Sequence, residues 1–443
     1  MKISISEHFT YKKLLLFTLP SIFMMIFSSI YGVVDGFFVS NFAGEVQFAA
    51  VNFIMPFLMM LGAIGFMFGA GGSALVSKTM GEGKKEKANE IFSMVVLVSV
   101  ICAVVVAVFG IIFIRPIASL LGAKGEMLEN SIIYGRIILV ALPAFFLQME
   151  FQSLFVTAEK PKLGLFVTIA AGVTNMVLDL LFVGVFKGGL IGAAVATSLS
   201  QAVGGFIPII YFSRKNNSLL KLRSFSFCGK ALLKVCTNGS SELLSNVSMS
   251  LVGMLYNVQL LKHAGEDGVS AYGVLMYVGF IFISAFIGFS VGIAPVVGFN
   301  FGAENKAELK GIFKKSLAVI GAFSVLMVTA CYLLSTPLSR IFVGYDVELF
   351  QMTCNAFDIY ALVFLLAGFS IFASGFFTAL NDGLTSAVIS FLRTVVFQVV
   401  AVLLLPLVLG IDGIWWSVVL ADAMALIVSS VFIFTKRKKY GYI

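Results

Sequence analysis

Twelve apolar stretches, each about 20 residues or longer, follow one another along the chain, and the short segments between them hold most of its charged residues. They lie near 14–39, 48–77, 91–113, 132–156, 163–186, 190–212, 231–261, 270–300, 313–335, 354–379, 384–409 and 413–434. A helix of about 20 residues, rising about 1.5 Å per residue, covers the roughly 30 Å hydrocarbon core of a bilayer. The pattern predicts an all-α membrane protein with twelve transmembrane helices.

Composition changes that picture only by sharpening it. The chain is 60% hydrophobic and 12% charged, which excludes a soluble enzyme. The net charge of +8 would suit nucleic acid, but its distribution argues for topology instead. With the N-terminus cytoplasmic, the termini and even-numbered loops, together with Lys234, Lys314 and Lys315 at the adjoining span ends, hold 23 Lys and Arg residues, against five on the other side: Arg115, Lys124, Lys187, Lys262 and Arg340. This is the positive-inside bias, so both termini are expected in the cytoplasm and no nucleic-acid partner is implied. The first apolar stretch is too long for a signal peptide and runs through Asp35 without a small-residue cleavage site, so it reads as the first membrane helix. Cys102, Cys228, Cys236, Cys331 and Cys354 are scattered without a CxxC, and His8 and His263 are far apart. Neither a disulfide framework nor a zinc site is indicated.

The longest internal polar segment, 213–230, falls near mid-length and divides six spans from six. The expected organisation is an N-terminal lobe over 1–212, an inter-lobe loop over 213–230 and a C-terminal lobe over 231–443. The halves repeat one another. Gly81 aligns with Gly302, Lys85 with Lys306, and Ile91-Phe92 with Ile312-Phe313 at one constant offset, and GLIGAAV (189–195) pairs with GIWWSVV (413–419) at a similar one. Six spans per half give both halves the same orientation, so a pseudo-two-fold axis along the membrane normal should relate them. Two such lobes around a central cavity form a recurring transporter plan. Pro20, Pro56, Pro143, Pro208, Pro295 and Pro406 fall within spans, where each removes a helix hydrogen bond and permits a bend. Gly62, Gly65, Gly69, Gly71 and Gly72 would let the second helix pack closely.

Charge inside the spans is the strongest pointer to chemistry. Each buried charge costs about 2.5–3.5 kcal/mol near the bilayer centre, so Asp35 and Asp179 need a reason to be there. Asn175 stands one turn before Asp179 on the same helix face, and Thr197 is level with that pair on the next helix. Four oxygen-bearing side chains from three helices of one lobe can converge. They are hard ligands for a small cation, and the two acids are equally suited to sharing a proton.

The strings LPSIFMM (19–25) and YGVVD (31–35) in helix one, EKPK (159–162) before helix five, NMVLD (175–179) within it and GAAVAT (192–197) in helix six resemble the MATE family, the multidrug and toxic compound extrusion transporters. The resemblance runs over essentially the whole chain. It implies an inner-membrane antiporter, not an enzyme, that exports cationic or amphipathic organic compounds against inward Na⁺ or H⁺. It also implies that Asp35, Asn175, Asp179 and Thr197 form the cation-coupling site, holding Na⁺ if that is the ion, that Pro20 marks a bend in helix one, and that Tyr31 lines the substrate cavity. Glu242 and Asn257 are the corresponding cavity candidates in the second lobe. Acids of that lobe depart from the family pattern: Glu242 is early in helix seven and Asp358 near the outer end of helix ten.

Glu150 and Asp422, in spans four and twelve, are expected to be structural, and Arg136 to reach the surface rather than Asp179. An ATP-driven pump would need a GxxxxGK[ST] loop, which is absent. The competing reading is a lipid-linked oligosaccharide flippase of the same superfamily, but Arg136 and Arg393 are the only basic residues inside spans apart from Lys234, Lys314 and Lys315 at their ends, few for a pyrophosphate. Expected partners are small organic cations and the bilayer of a bacterial or archaeal plasma membrane, with the chain a monomer and no cofactor beyond the coupling ion.

Overall fold

A computed structural model describes residues 3–42 and 45–443; Met1, Lys2, Ala43 and Gly44 lie outside the described residues. Among these, every regular element is helical. The long helices are α1 (Tyr11–Phe42), α2 (Glu45–Gly81), α3 (Lys85–Leu121), α4 (Gly125–Val140 with Leu142–Thr157), α5 (Pro161–Val185) and α6 (Gly189–Ser213) in the first half. A single helical run, Gly229–Gly302, opens the second half. Its 74 residues would measure about 111 Å if straight, far more than a bilayer, and Gly265 breaks it at φ 63° into α7 (229–264) and α8 (266–302). Then follow α9 (Lys306–Val343), α10 (Val347–Tyr360 with Val363–Ala379), α11 (Gly383–Leu409) and α12 (Ile411–Tyr440). Twelve spans result among the described residues, each expected apolar stretch lying inside one of them but for Phe186, one residue past α5.

Proline explains some bends and not others. The two pieces of α4 meet at 59°, where Pro143 lacks the N–H that would continue the helix. Pro406 likewise opens the short last segment of α11. Pro20, Pro56, Pro208 and Pro295 sit inside continuous helices. The 46° bend of α10 falls at Ala361–Leu362, with neither proline nor glycine to announce it.

Both termini lie on one face of the bundle, here the termini face. The segment before α1 crosses between the halves there. Glu159, in the turn after α4, accepts from the Ser4 hydroxyl at 2.5 Å and the Ile5 N–H at 2.8 Å. Glu308, in the first turn of α9, accepts from the Phe9 N–H at 2.8 Å and pairs with His8 at 2.6 Å, and Lys315 donates to the Phe9 carbonyl. Two carboxylates from opposite halves thus hold one strand of chain. At the other terminus the Tyr440 hydroxyl donates to Asp382 at 2.7 Å, and Tyr442 is buried among Phe313, Phe376 and Phe377. The 214–228 segment lies along α3, its backbone donating to Asn89 and Ser93.

The halves close on each other near this same face. A Cβ placed on Gly81 would collide with the carbonyl oxygen of Phe299, and one on Gly302 with that of Lys78. Phe299 and Lys78 are related by the same offset that relates Gly302 to Gly81, so this is one crossing seen from both sides of a pseudo-two-fold axis. Gly71 against Gly239 and Gly292 against Thr18 form a second such exchanged pair. Lipid offers no hydrophobic drive for helix association, so backbone approach at small residues supplies the contact. Towards the far face the picture reverses: a Cβ on Gly32, Gly36, Gly253 or Gly273 would meet nothing.

Overpacking this crossing should open it. Gly81→Leu or Gly302→Leu is expected to cost the closed arrangement about 1–3 kcal/mol. A cysteine at the buried position Ser77, in a background lacking the native cysteines, should then react roughly 5–150 times faster with an impermeant thiol reagent applied from the termini face. Gly273→Ala should leave that rate unchanged.

Candidate functional site

Asp35 stands about 36 Å along α1 and Asp179 about 27 Å along α5, each measured from the helix end at the termini face, so both lie in the far half. Asp35 is 9% exposed and Asp179 is fully buried. The Asn175 amide donates to Asp35 Oδ1 at 3.5 Å, and the Thr197 hydroxyl to the same oxygen at 3.3 Å. The structure thus brings together all four residues singled out in the sequence. Asp179 adjoins Asp35. Two carboxylates cannot donate to each other, and neither oxygen of Asp179 nor Oδ1 of Asn175 has any donor.

The charge balance decides what such a group can do. At about 4 Å two like charges repel by about 4 kcal/mol even at an effective dielectric constant near 20. Among the described residues no Lys, Arg or His pairs with either acid. Arg136, the one basic residue within the spans of this lobe, is exposed. Such an arrangement can accept a small cation among the free oxygens or a proton shared by the acids. The helix itself loosens here, since α5 turns π-helical over Leu180–Val185, directly after Asp179. Such turns often mark functional positions.

Two further residues belong to the cluster and were not anticipated. Tyr134, on α4, is fully buried beside Thr197 and Asp35. Gln148, on the same helix, donates to the Tyr31 hydroxyl at 3.5 Å, and its own oxygen has no donor. Below them, towards the termini face, a narrow cavity is lined by Gln148, Gln152, Thr168 and Met24. An aromatic hydroxyl or an amide inside a span does need a polar partner, but one Tyr and one Gln do not depart from an apolar pattern as an acid does.

The second lobe is arranged differently. Glu242 and Asn257 are half-buried on α7, about four turns apart, and stand outside the cluster around Asp35. Asp358 is exposed. The Arg393 guanidinium donates from Nε to Asp422 at 2.6 Å, with 18% of the Arg393 side chain and 1% of that of Asp422 exposed. Beside them the Tyr256 hydroxyl donates to Gln398 at 2.5 Å and lies 3.0 Å from Ser417, while its ring stacks on Tyr272. Glu150 of the first lobe is also held internally, accepting the Ser99 hydroxyl.

The family model described as MatE matches the chain twice, over residues 20–181 and 243–404. The chain belongs to the MATE family. The two matches are the two lobes' repeats, each taking in five helices. Among curated relatives, the multidrug export protein MepA of Staphylococcus haemolyticus (strain JCSC1435) is 24% identical over 435 residues, which cover 98% of this chain and 95% of that protein. MepA of Staphylococcus aureus (strain MRSA252) is 21% identical over 430 residues, covering 97% and 94%. A crystal structure of MATE in complex with MaL6 superposes with a TM-score of 0.93 at 22% identity, covering 98% of each chain. The outward-facing conformation of a multidrug resistance MATE family transporter of the MOP superfamily gives 0.92, also at 22% identity and 98% coverage. This MATE protein has their fold.

Buried acids with and without a partner should respond oppositely to neutralisation. Asp179→Asn removes an uncompensated charge and is expected to leave thermal stability in detergent unchanged or raise it by about 1 kcal/mol. Asp422→Asn strands the Arg393 guanidinium and is expected to cost about 3–5 kcal/mol.

Proposed function

We propose that this MATE protein is a secondary antiporter of the bacterial or archaeal inner membrane, exporting cationic or amphipathic organic compounds in exchange for an inward-moving cation. The observation that carries the reading is the pair of adjacent buried acids, Asp35 and Asp179, with no counter-charge paired to either among the described residues. The termini face is cytoplasmic in this reading, in keeping with its basic loops. The arrangement described is then closed to the cytoplasm, with Asp35 and Asp179 in the half nearer the outside. The names of the MepA relatives, multidrug export proteins, support the substrate class. A flippase reading finds few basic groups away from the helix ends: Arg136 is exposed and Arg393 is held by Asp422.

For the coupling ion the donor set favours Na⁺. Both Asp179 oxygens and Asn175 Oδ1 lack donors, and a proton does not need an amide oxygen. The adjacency of the two carboxyl groups favours the second reading, a shared proton. Vesicles with separately imposed Na⁺ and pH gradients distinguish them, using ethidium efflux as the readout. Asp35→Asn and Asp179→Asn should each abolish driven efflux under either ion. Asn175→Ala and Thr197→Val should abolish Na⁺-driven exchange if Na⁺ is carried. Full efflux on a pH gradient alone, indifferent to Thr197→Val, would select the proton, and full efflux in either Asp variant would refute the site.

A further inference from the structure

We infer that the second lobe carries a sealed counterpart of the cation site, in which the Arg393 guanidinium is the permanent, tethered counter-ion of Asp422, so that ion exchange runs through the first lobe alone. This rests on the antiport reading above and specifies how many sites take part in it.

The offsets that relate the halves run from 221 to 224, so Asp35 falls opposite residues 256–259 and Asp179 opposite 400–403, none of them acidic. Asn175 falls opposite 396–399, which include the amide Gln398. The second lobe therefore has an amide in this region and no carboxylate opposite either acid of the first. Its polar groups also satisfy one another. The Gln398 oxygen receives the Tyr256 hydroxyl, and that hydroxyl also lies within hydrogen-bond distance of Ser417. In the first lobe the corresponding amide oxygen, on Asn175, is bare.

The remaining charge of this region is Asp422, on α12, and its cation comes from the next helix. Arg393 lies in a π-helical turn of α11, Leu392–Val396, and donates from Nε to Asp422 Oδ1 at 2.6 Å. A guanidinium is never deprotonated in proteins and cannot diffuse away. A carboxylate paired with it has its counter-charge already in place within the protein. Glu242, on α7, lies about 21 Å along the helix from Tyr256 and is no part of this cluster.

The test is the ratio of ions to substrate, read in proteoliposomes as the imposed ion gradient that just balances an ethidium gradient. The variant Arg393→Gln/Asp422→Asn removes both charges together and avoids stranding either. It is expected to keep the wild-type ratio, with its half-saturating ion concentration shifted by no more than about twofold. Arg393→Gln alone leaves Asp422 in need of a cation from solution, and its ratio should rise above the wild-type value wherever the protein is recovered folded. A changed ratio, or lost ion dependence, in the double variant would overturn the inference, because the second lobe would then take part in exchange. A merely structural pair could alter yield or rate but not the ratio in the single variant, so an unchanged ratio there would also count against it. A wild-type protein driven by neither ion would instead refute the antiport reading on which the inference stands.

Discussion

Everything specific about this protein follows from setting two carboxylates side by side in a low-dielectric interior and giving them no internal cation. Asp35 and Asp179 could each have been neutralised by a neighbouring arginine, as Asp422 is by Arg393. Instead they are surrounded by donors too weak to cancel a charge, the amide of Asn175 and the hydroxyl of Thr197. A site whose charge balance is left open must be completed from solution. The free energy of that completion is available to shift the protein between states only if the states differ in how well they bind the ion.

The rest of the architecture makes such a difference possible. Contact between the lobes is concentrated near the termini face, where Gly81 and Gly302 bring α2 and α8 backbone to backbone. The acids lie in the opposite half. Of the helices bearing them, α5 loses its regular ladder immediately after Asp179 and α1 contains Pro20 within a continuous helix. At the closed face the strap of residues 4–9 ties Glu159 of one lobe to Glu308 of the other, so opening that face must break charge-assisted hydrogen bonds on at least one side.

What the sequence made legible is what lipid penalises. Span number follows from apolar length, because a bilayer tolerates little else, and even the continuous run Gly229–Gly302 shows in the sequence as two apolar stretches, 231–261 and 270–300, on either side of Gly265. Two residues of the candidate site, Asp35 and Asp179, stand out because acids in an apolar helix are costly, and Asn175 and Thr197 follow from helix spacing and depth. The bend of α4 was foreshadowed by Pro143, whereas that of α10 has no residue that announces it. Tyr134 and Gln148 escaped notice because each can satisfy itself in many ways. The Arg393–Asp422 pair escaped for a different reason: both charges were visible, but their pairing joins two helices, and no helical spacing reveals it.

The two lobes show the same constraint resolved in opposite ways. Each places an amide at the equivalent position, Asn175 or Gln398, and each has a π-helical turn in the helix that carries it. In the second lobe no acid stands opposite the paired acids, and the one buried carboxylate of α12 is matched by a fixed guanidinium. Duplication supplies two potential cation sites, but a transporter gains nothing from a second site that binds its ion equally in every state. Filling it with a tethered cation keeps the polar cross-links between helices while removing the ion's access. The asymmetry between the lobes is then a division of labour within one fold: the first lobe keeps its charge open to solution, and the second keeps its charge closed.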